Sequence, residues 1–273
     1  MEGVSVARER AWPGFPWAAA AAGWLARSGS VIALVAAWWA MSAAGIFSPY
    51  LLPSPASVFG RLGADAASGV LGNEMLITFT HALAGFAMAA VAGIVLGILM
   101  VRSRTVRWFF DPIVSIGFPM PKIAFLPIVL LWLGPGGGTD IAIVTASVLF
   151  PVTSAAAAGA EGVEASLLWS AESLGTSRTG LLWRIVFPAS VPQIFTGLQI
   201  GLPIALITEI VAEMMLGSDG LGGAMLQSMR FADSPGVFSG IIAIGALGAV
   251  VVWALEVLRR RLLRWHTEAE VAG

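Results

Sequence analysis

The sequence predicts an all-α integral membrane protein with about six transmembrane helices. Hydrophobic residues make up 58% of the 273 residues and charged residues only 11%, against roughly 45–50% and about 25% in soluble domains. The mean hydropathy is +0.87. Charge-free runs long enough to cross a bilayer recur along the chain, and none shows the strand-like alternation of a membrane barrel, so we expect the spans to be helices.

Six spans follow from these charge-free runs. The third is expected to be kinked or broken, because the prolines between residues 119 and 127 each remove a backbone donor. Residues 1–29 are expected to form a cytoplasmic or interfacial lead-in, residues 30–258 the transmembrane domain and residues 259–273 a cytoplasmic tail. The predicted spans lie near residues 30–46, 76–100, 115–133, 140–160, 193–216 and 236–257.

The basic residues predict the orientation of these spans. Thirteen of the 15 Lys and Arg residues fall on the side of the N-terminus, and only Arg61 and Arg230 fall on the other. Short cytoplasmic loops collect Lys and Arg, so both termini are expected in the cytoplasm. The thirteen are Arg8, Arg10, Arg27, Arg102, Arg104, Arg107, Lys122, Arg178, Arg184, Arg259, Arg260, Arg261 and Arg264.

Composition also excludes several classes of function. A net charge of −1 leaves no strongly basic surface for nucleic acid. Cysteine is absent, and the two histidines, His81 and His266, lie far apart in sequence, which argues against a metal cluster. The chain has no phosphate-binding loop of the ATPase type and no persuasive catalytic triad. We therefore expect no enzyme activity and no cofactor or metal on this chain.

The connection between the fourth and fifth predicted spans, at about residues 160–190, is the most informative segment. Its sequence predicts a short helix, a turn at Gly175 and a second short helix that ends near Pro188. Leu167 and Leu174 supply apolar surface, and Glu172 supplies charge. A cytoplasmic loop with this much apolar surface is expected to dock on another protein.

These residues resemble the permease subunits of bacterial ABC importers. Their signature is Glu-Ala-Ala, three residues, Gly, nine residues, Ile, one residue and Leu-Pro. Gly175, Ile185 and Pro188 fit that spacing, with Phe in place of Leu before the proline. Trp169-Ser170-Ala171 stands where Glu-Ala-Ala is expected. Only the alanine matches there, so Glu172 is the residue expected to take over part of the missing glutamate's contact with the ATPase.

The resemblance covers most of the chain from about residue 50 and is greatest to the nitrate/sulfonate/taurine subgroup. The matching blocks follow one another in the order of that subgroup. They lie at residues 52–55, 118–122, 126–134, 188–192, 197–198, 212–214 and 220–222.

The resemblance implies a type I ABC importer fold and its mechanism. Two copies of the permease would bind two cytoplasmic ATPase subunits, which carry the ATP and Mg, through the 165–187 loop. They would receive a small polar solute, an anion such as a sulfonate, taurine or nitrate, from an extracytoplasmic binding protein and move it across the bacterial inner membrane. The residues implied to contact the ATPase are Ala171, Glu172, Leu174, Gly175, Arg178, Ile185 and Pro188.

Polar residues inside the predicted spans are candidates for the translocation path or gate. Glu209 and Glu213 lie four residues apart, and therefore on one face of the fifth span, beside Thr208. His81 shares a face of the second span with Thr78, at a place where the subgroup often has Arg.

If two partly buried carboxylates lined a narrow path, they would repel an anion with an energy on the order of several kcal/mol. Three resolutions are open for Glu209 and Glu213. The pair is protonated, or it faces a partner helix or Arg230 rather than the path, or the solute is not an anion.

Two other classes of membrane protein fit the sequence less well than an importer permease does. A gradient-driven secondary transporter is expected to contain internal repeats with paired broken helices; the sequence has no such symmetry, and the 165–187 loop would have no role. A membrane-embedded enzyme would need convergent catalytic residues, which the sequence lacks.

The charge distribution makes a direct prediction of topology. A reporter fused after Arg264 should be cytoplasmic, and one inserted near Gly69 should be periplasmic or extracellular, because the basic residues are split thirteen to two. Alkaline phosphatase and green fluorescent protein fusions at each site measure this. Both reporters on the same side would contradict the six-span topology.

Overall fold

The computed structural model describes the backbone of residues 16–263 and the side chains of residues 29–263. Every regular element in this part of the chain is helical, as predicted. A 3-10 turn, Lys122–Phe125, precedes α5, and a π-helical turn, Leu182–Val186, joins α8 to α9. The helices are α1 (Pro16–Ala43), α2 (Pro55–Ala67), α3 (Val70–Arg102), α4 (Arg104–Gly117), α5 (Leu126–Leu133), α6 (Gly137–Glu161), α7 (Ala165–Ser173), α8 (Arg178–Leu181), α9 (Phe187–Leu216), α10 (Leu221–Arg230) and α11 (Ser234–Leu262).

Four helices between residues 16 and 263 are long and apolar enough to cross a membrane: α3, α6, the continuous run from α8 to α9, and α11. A fifth span is formed if α4 and the segment Lys122–Leu133 are taken together, since they pass the same test as a pair bent by 96°. The predicted first span falls on α1, whose described apolar part, Gly29–Ala43, is shorter. The multi-span helical class is therefore confirmed.

The third predicted span is broken, as its prolines indicate, but its predicted bounds are wrong. It begins at Arg104 rather than near residue 115 and is interrupted after Gly117. The Lys122 ammonium donates hydrogen bonds to the Gly117 carbonyl and, at 2.9 Å, to the Phe118 carbonyl. It also lies 4.7 Å from the centre of the Phe150 ring. One side chain thus satisfies carbonyls that the end of α4 leaves free.

The core is built where α3, α6 and α9 pack together, and its closest approach is between α3 and α6. A stripe of small residues at four-residue spacing on α3 faces buried valines of α6. Between membrane helices, small residues allow the backbones to approach and to gain van der Waals contact. The stripe consists of Gly85, Ala89, Gly93 and Gly97, and the facing valines are Val144, Val148 and Val152.

The contacts along this stripe also define the direction of the helices. Gly85 lies against Val144 and Gly93, two turns later, lies against Val152. Both residue numbers increase together, so α3 and α6 run parallel. Their shared register decides which polar residues meet at their N-terminal ends.

We predict that Gly97→Ala destabilises the protein. A Cβ atom at this position would lie 2.6 Å from the Thr153 carbonyl oxygen and 2.7 Å from the Ala156 Cβ atom, so α3 and α6 would have to separate. Overpacking of this kind costs about 1–3 kcal/mol. The measurement is the thermal unfolding midpoint of the purified chain in detergent.

Gly245→Ala is the matched control. Gly245 lies within α11, is exposed and has no atom within 4 Å of an added Cβ. The unfolding midpoint of Gly245→Ala should equal that of the wild type or exceed it slightly, because alanine is a better helix former than glycine. Equal midpoints for Gly97→Ala and Gly245→Ala would contradict the close packing of α3 on α6.

Candidate functional site

The segment between α6 and α9 forms the helix–turn–helix that the sequence predicts. Gly175 adopts a left-handed conformation, with φ of +81°. Its N–H donates to the Glu172 carbonyl at 2.9 Å, and the Thr176 N–H donates to the Ala171 carbonyl at 3.0 Å. These two hydrogen bonds form a Schellman motif, in which the left-handed position favours glycine. The turn at Gly175 is confirmed.

The second half of this segment differs from the prediction. The Ser177 hydroxyl caps α8 by accepting the Gly180 N–H at 3.2 Å. From there the chain stays helical through the π turn Leu182–Val186 into α9. The expectation that the helix ends near Pro188 is therefore wrong. Proline is tolerated in the first turn of a helix, and the hydrogen-bonding pattern has already changed in the π turn that precedes it.

The residues predicted to contact an ATPase lie on this hairpin, residues 165–188, and most are accessible. Of these residues, Leu174 is 86% exposed. Trp169, which is not one of the predicted contacts but stands where the signature has Glu, is 68% exposed. Ala171 is buried beneath the turn, whereas Ile185 is half-buried. The remaining predicted residues, Glu172, Gly175, Arg178 and Pro188, are exposed. The hairpin therefore presents apolar side chains flanked by charge, which is a surface suited to docking.

On α9, Thr208 faces a different environment from the two glutamates. Thr208 lines a cleft of about 300 Å³ beside the break between α4 and α5. The Lys122 side chain lines the same cleft, together with apolar side chains and Ser147. Glu209 and Glu213 are fully buried inside the described part of the chain. No ion pair joins Arg230 to either of them within residues 29–263. Whether these residues act in a path or gate stays a prediction.

Glu213 contributes to a cap on α10. It accepts hydrogen bonds from the Thr78 hydroxyl at 2.7 Å and from the Gly222 N–H at 2.8 Å. Thr78 also accepts the Leu221 N–H at 2.9 Å, and Glu74 accepts the Gly220 N–H at 2.5 Å. Side chains of α3 and α9 thus satisfy three N–H groups at the start of α10, which its own helix leaves free.

A second polar group, which we call the acid–histidine cluster, consists of His81, Asp140 and Glu209. The His81 Nδ1 atom lies 3.2 Å from the Glu209 Oε1 atom and 3.9 Å from the Asp140 Oδ2 atom. The Asp140 and Glu209 side chains are 1% and 0% exposed, and that of His81 is 28% exposed. Both nitrogen–oxygen pairs lie within ion-pair distance, but neither is a hydrogen bond, and no described residue donates a hydrogen bond to any of the four carboxylate oxygens.

The register of the core places these three residues at one level. His81 and Asp140 each lie one helical turn before Gly85 and Val144, which are in contact between the parallel helices α3 and α6. The next step of the same register therefore brings His81 opposite Asp140.

α9 runs in the opposite direction along α6. Gly201 of α9 lies against Val148 of α6. Two turns further along α9, and two turns back along α6, this antiparallel register brings Glu209 opposite Asp140. Three separate helices thus deliver one ionisable side chain each to the same buried point.

Two members of these groups were missed by sequence reasoning. Asp140 is the lone acid at the start of the apolar α6, directly after the glycine-rich turn of residues 134–138. An ionisable residue at a membrane span is a candidate by default, so this signal was available. Glu74 lies in the first turns of α3, where an acidic residue beside a predicted span gives no comparable signal.

Several apolar spans, one broken span and an exposed apolar hairpin between the fourth and fifth predicted spans are features of a multi-pass transport permease. The chain belongs to the family described as binding-protein-dependent transport system inner membrane component, which it matches over residues 89–264. It is thus a permease of the ABC importer type. Its relatives are named as transport permeases rather than enzymes.

Two relatives narrow the subgroup. The taurine transport system permease protein TauC of Escherichia coli is 32% identical over 247 residues, which cover 89% of this chain and 90% of that protein. The aliphatic sulfonates transport permease protein SsuC of Bacillus subtilis is 28% identical, over 87% of this chain and 86% of that protein. The predicted resemblance to the sulfonate and taurine permeases is confirmed.

A solved structure supports the fold. A chain of the inward-facing MetNI methionine ABC transporter superposes with a TM-score of 0.54 at 16% identity, covering 68% of this chain and 95% of that chain. At this identity the likeness concerns the fold alone, and it confirms the type I importer permease architecture.

We predict that Thr78→Val destabilises the protein by about 1–3 kcal/mol. Valine has the shape of threonine but can neither donate to Glu213 nor accept from the Leu221 N–H, and both buried groups would lose a partner. The thermal unfolding midpoint in detergent measures this. Thr80→Val, two residues further on the same helix and exposed, is the control and should leave the midpoint unchanged. Equal unfolding midpoints for Thr78→Val and Thr80→Val would show that the hydrogen bonds of Thr78 contribute nothing to stability.

Proposed function

We propose that this chain is the membrane subunit of an ATP-driven importer of a small sulfonate-like anion such as taurine. Two copies would pair in one transporter, with both termini in the cytoplasm of a bacterial cell. Two separate ATPase subunits would hold the ATP and Mg, and an extracytoplasmic binding protein would deliver the solute. The observation that carries the proposal is the exposed apolar hairpin 165–188 on a chain of the importer permease family.

The connection from the hairpin to α9 supports its role as the coupling element. The Schellman motif at Gly175 fixes the angle between α7 and α8. α8 then continues without a break through the π turn into α9, so that residues 178–216 form one helical run. A force that an ATPase applies to the hairpin would be passed along the same helix to Thr208 and Glu209.

The charges that face the cleft support an anionic solute. Lys122 and Thr208 line the cleft beside the broken span, and Lys122 is a cation in otherwise largely apolar surroundings. Glu209 and Glu213 are buried on the side of α9 that packs against α3 and α6. The arrangement favours the second of the three resolutions, in which the carboxylates face partner helices. An anion in the cleft would then meet a positive charge rather than two negative ones.

The proposal is tested by reconstituting the chain in proteoliposomes with its cognate ATPase and binding protein. We expect uptake of radiolabelled taurine or an alkanesulfonate that requires ATP and all three components. Uptake driven by an ion gradient without ATP would overturn the proposal in favour of a secondary transporter.

Gly175→Val tests the coupling step. A β-branched residue at φ of +81° is strained, because L-residues pay about 1–2 kcal/mol in the left-handed region. The hairpin angle should change, and solute-stimulated ATP hydrolysis should fall to the unstimulated rate while membrane insertion persists. Gly63→Val is the control, since Gly63 is exposed on α2 with open space around it and an ordinary backbone. Wild-type stimulation in Gly175→Val would contradict the coupling role.

Lys122→Met tests the sign of the solute. Loss of the cation should raise the KM for a sulfonate by about tenfold, which corresponds to about 1.4 kcal/mol. Lys122→Arg keeps the charge and should keep KM within a few-fold of the wild type. Uptake of labelled solute over a concentration range measures both. An unchanged KM in Lys122→Met would place the solute away from this cleft.

A further inference from the structure

The acid–histidine cluster has a composition and geometry that its packing does not explain. We propose that His81, Asp140 and Glu209 form a binding site for one divalent transition-metal ion, held between α3, α6 and α9. The ion would join the three core helices of the permease at one point.

The geometry fits a small metal ion. One ligand atom from each residue, the His81 nitrogen and one carboxylate oxygen from each acid, lies within 4.8 Å of the other two. The two separations from the His81 Nδ1 atom are 3.2 and 3.9 Å. Metal–ligand bonds of about 2.0–2.2 Å place neighbouring ligand atoms roughly 3–4 Å apart. Small side-chain rotations therefore bring all three atoms to bonding distance of one central point.

The absence of other partners points the same way. The Nδ1 atom of His81 and all four oxygens of Asp140 and Glu209 are buried without a hydrogen-bond partner among the described residues. Glu213, one turn along α9 and equally buried, accepts hydrogen bonds from Thr78 and the Gly222 N–H. Glu213 is thus a buried carboxylate with hydrogen-bond donors, whereas Asp140 and Glu209 have none among the described residues. Buried polar groups without partners are costly and are expected to bind something.

Charge and ligand type define the class of ion. As ligands of a metal ion, two ionised carboxylates and a neutral imidazole would carry a charge of −2, which one divalent cation neutralises. Imidazole nitrogen suits Zn²⁺, Fe²⁺, Co²⁺ and similar ions, whereas Mg²⁺ and Ca²⁺ prefer sites made of oxygen alone. Three protein ligands leave at least one position open for water or another ligand, and His81 is the member that is partly exposed.

The expectation that this chain holds no metal rests on two histidines that lie far apart in sequence. The proposed site needs only one of them, His81, and takes its other ligands from carboxylates on different helices. Distance in sequence carries little information once helices pack side by side.

Metal binding is measured directly on the full-length chain. The protein is purified in detergent through an affinity tag that contains no histidine, stripped with a chelator, and incubated with Zn²⁺ or Co²⁺ alone. After desalting, inductively coupled plasma mass spectrometry should give one ion per chain, and bound Co²⁺ should show the visible absorption of nitrogen and oxygen ligation. Zn²⁺ should also raise the thermal unfolding midpoint, whereas Ca²⁺ should not.

Substitutions locate the ion. Glu209→Gln and Asp140→Asn preserve shape and remove one ligand each, and each should weaken binding of Co²⁺ by at least tenfold. Glu256→Gln is the matched control, because Glu256 lies in the spanning helix α11 with a hydrogen bond from Gln199 at 2.6 Å. His266→Ala, which lies outside the described residues, removes the other histidine. Both controls should bind Co²⁺ as the wild type does.

Two results would overturn the proposal. The first is a wild-type chain that retains no Zn²⁺ or Co²⁺ and shows no metal-dependent rise in its unfolding midpoint. This test uses the wild type alone, so it does not depend on whether a variant folds. The second is equal binding by the wild type, Glu209→Gln and Asp140→Asn, which would place the ion elsewhere. Neither measurement involves transport, so the proposed import function can fail or succeed independently.

Discussion

The close approach of α3 and α6 is the contact on which the rest of the structure depends. Lipid tails are as apolar as the helix surfaces, so membrane helices gain little hydrophobic free energy by associating, and contact at short range has to hold them together. The stripe from Gly85 to Gly97 provides that contact, because it removes side chains that would keep the backbones apart. α9 then packs along α6 through a glycine of its own, Gly201.

The register of these packed helices also determines which polar side chains lie next to one another. The polar residues near the N-terminal ends of α3 and α6 contact the C-terminal half of α9. They form two groups, which differ in whether the buried carboxylates have hydrogen-bond donors. In the α10 cap, carboxylates and a hydroxyl receive backbone N–H groups. In the acid–histidine cluster no such donor is present among the described residues, and the carboxylates face each other and one imidazole.

The helical run from residue 178 to residue 216 links the two ends of the permease. At its start it is continuous with the exposed hairpin, and near its end it carries Thr208 toward the cleft and Glu209 toward the core. When one end of such a helix is displaced, the residues near its other end move as well, so that the cleft beside Thr208 and the core around Glu209 would both change. In the proposed importer, this helical run would be the physical route from ATP hydrolysis to the cleft.

Much of this was determined by the sequence alone, because the bilayer imposes local rules. A membrane span must be predominantly apolar, a proline removes a backbone hydrogen-bond donor, and a left-handed turn favours glycine. The apolar spans, the break near Pro119 and the turn at Gly175 can therefore be predicted without knowing which residues pack against them. Only the tertiary structure decided that Pro188 continues a helix, that Glu213 caps α10 and that Asp140 joins His81 and Glu209. Pro188 continues a helix because it follows a π turn, in which the hydrogen-bonding pattern has already changed. The other two outcomes depend on the register between helices that are distant in sequence. The packing of glycines against valines decides that register, and neither helix alone shows which residues of the other it will meet.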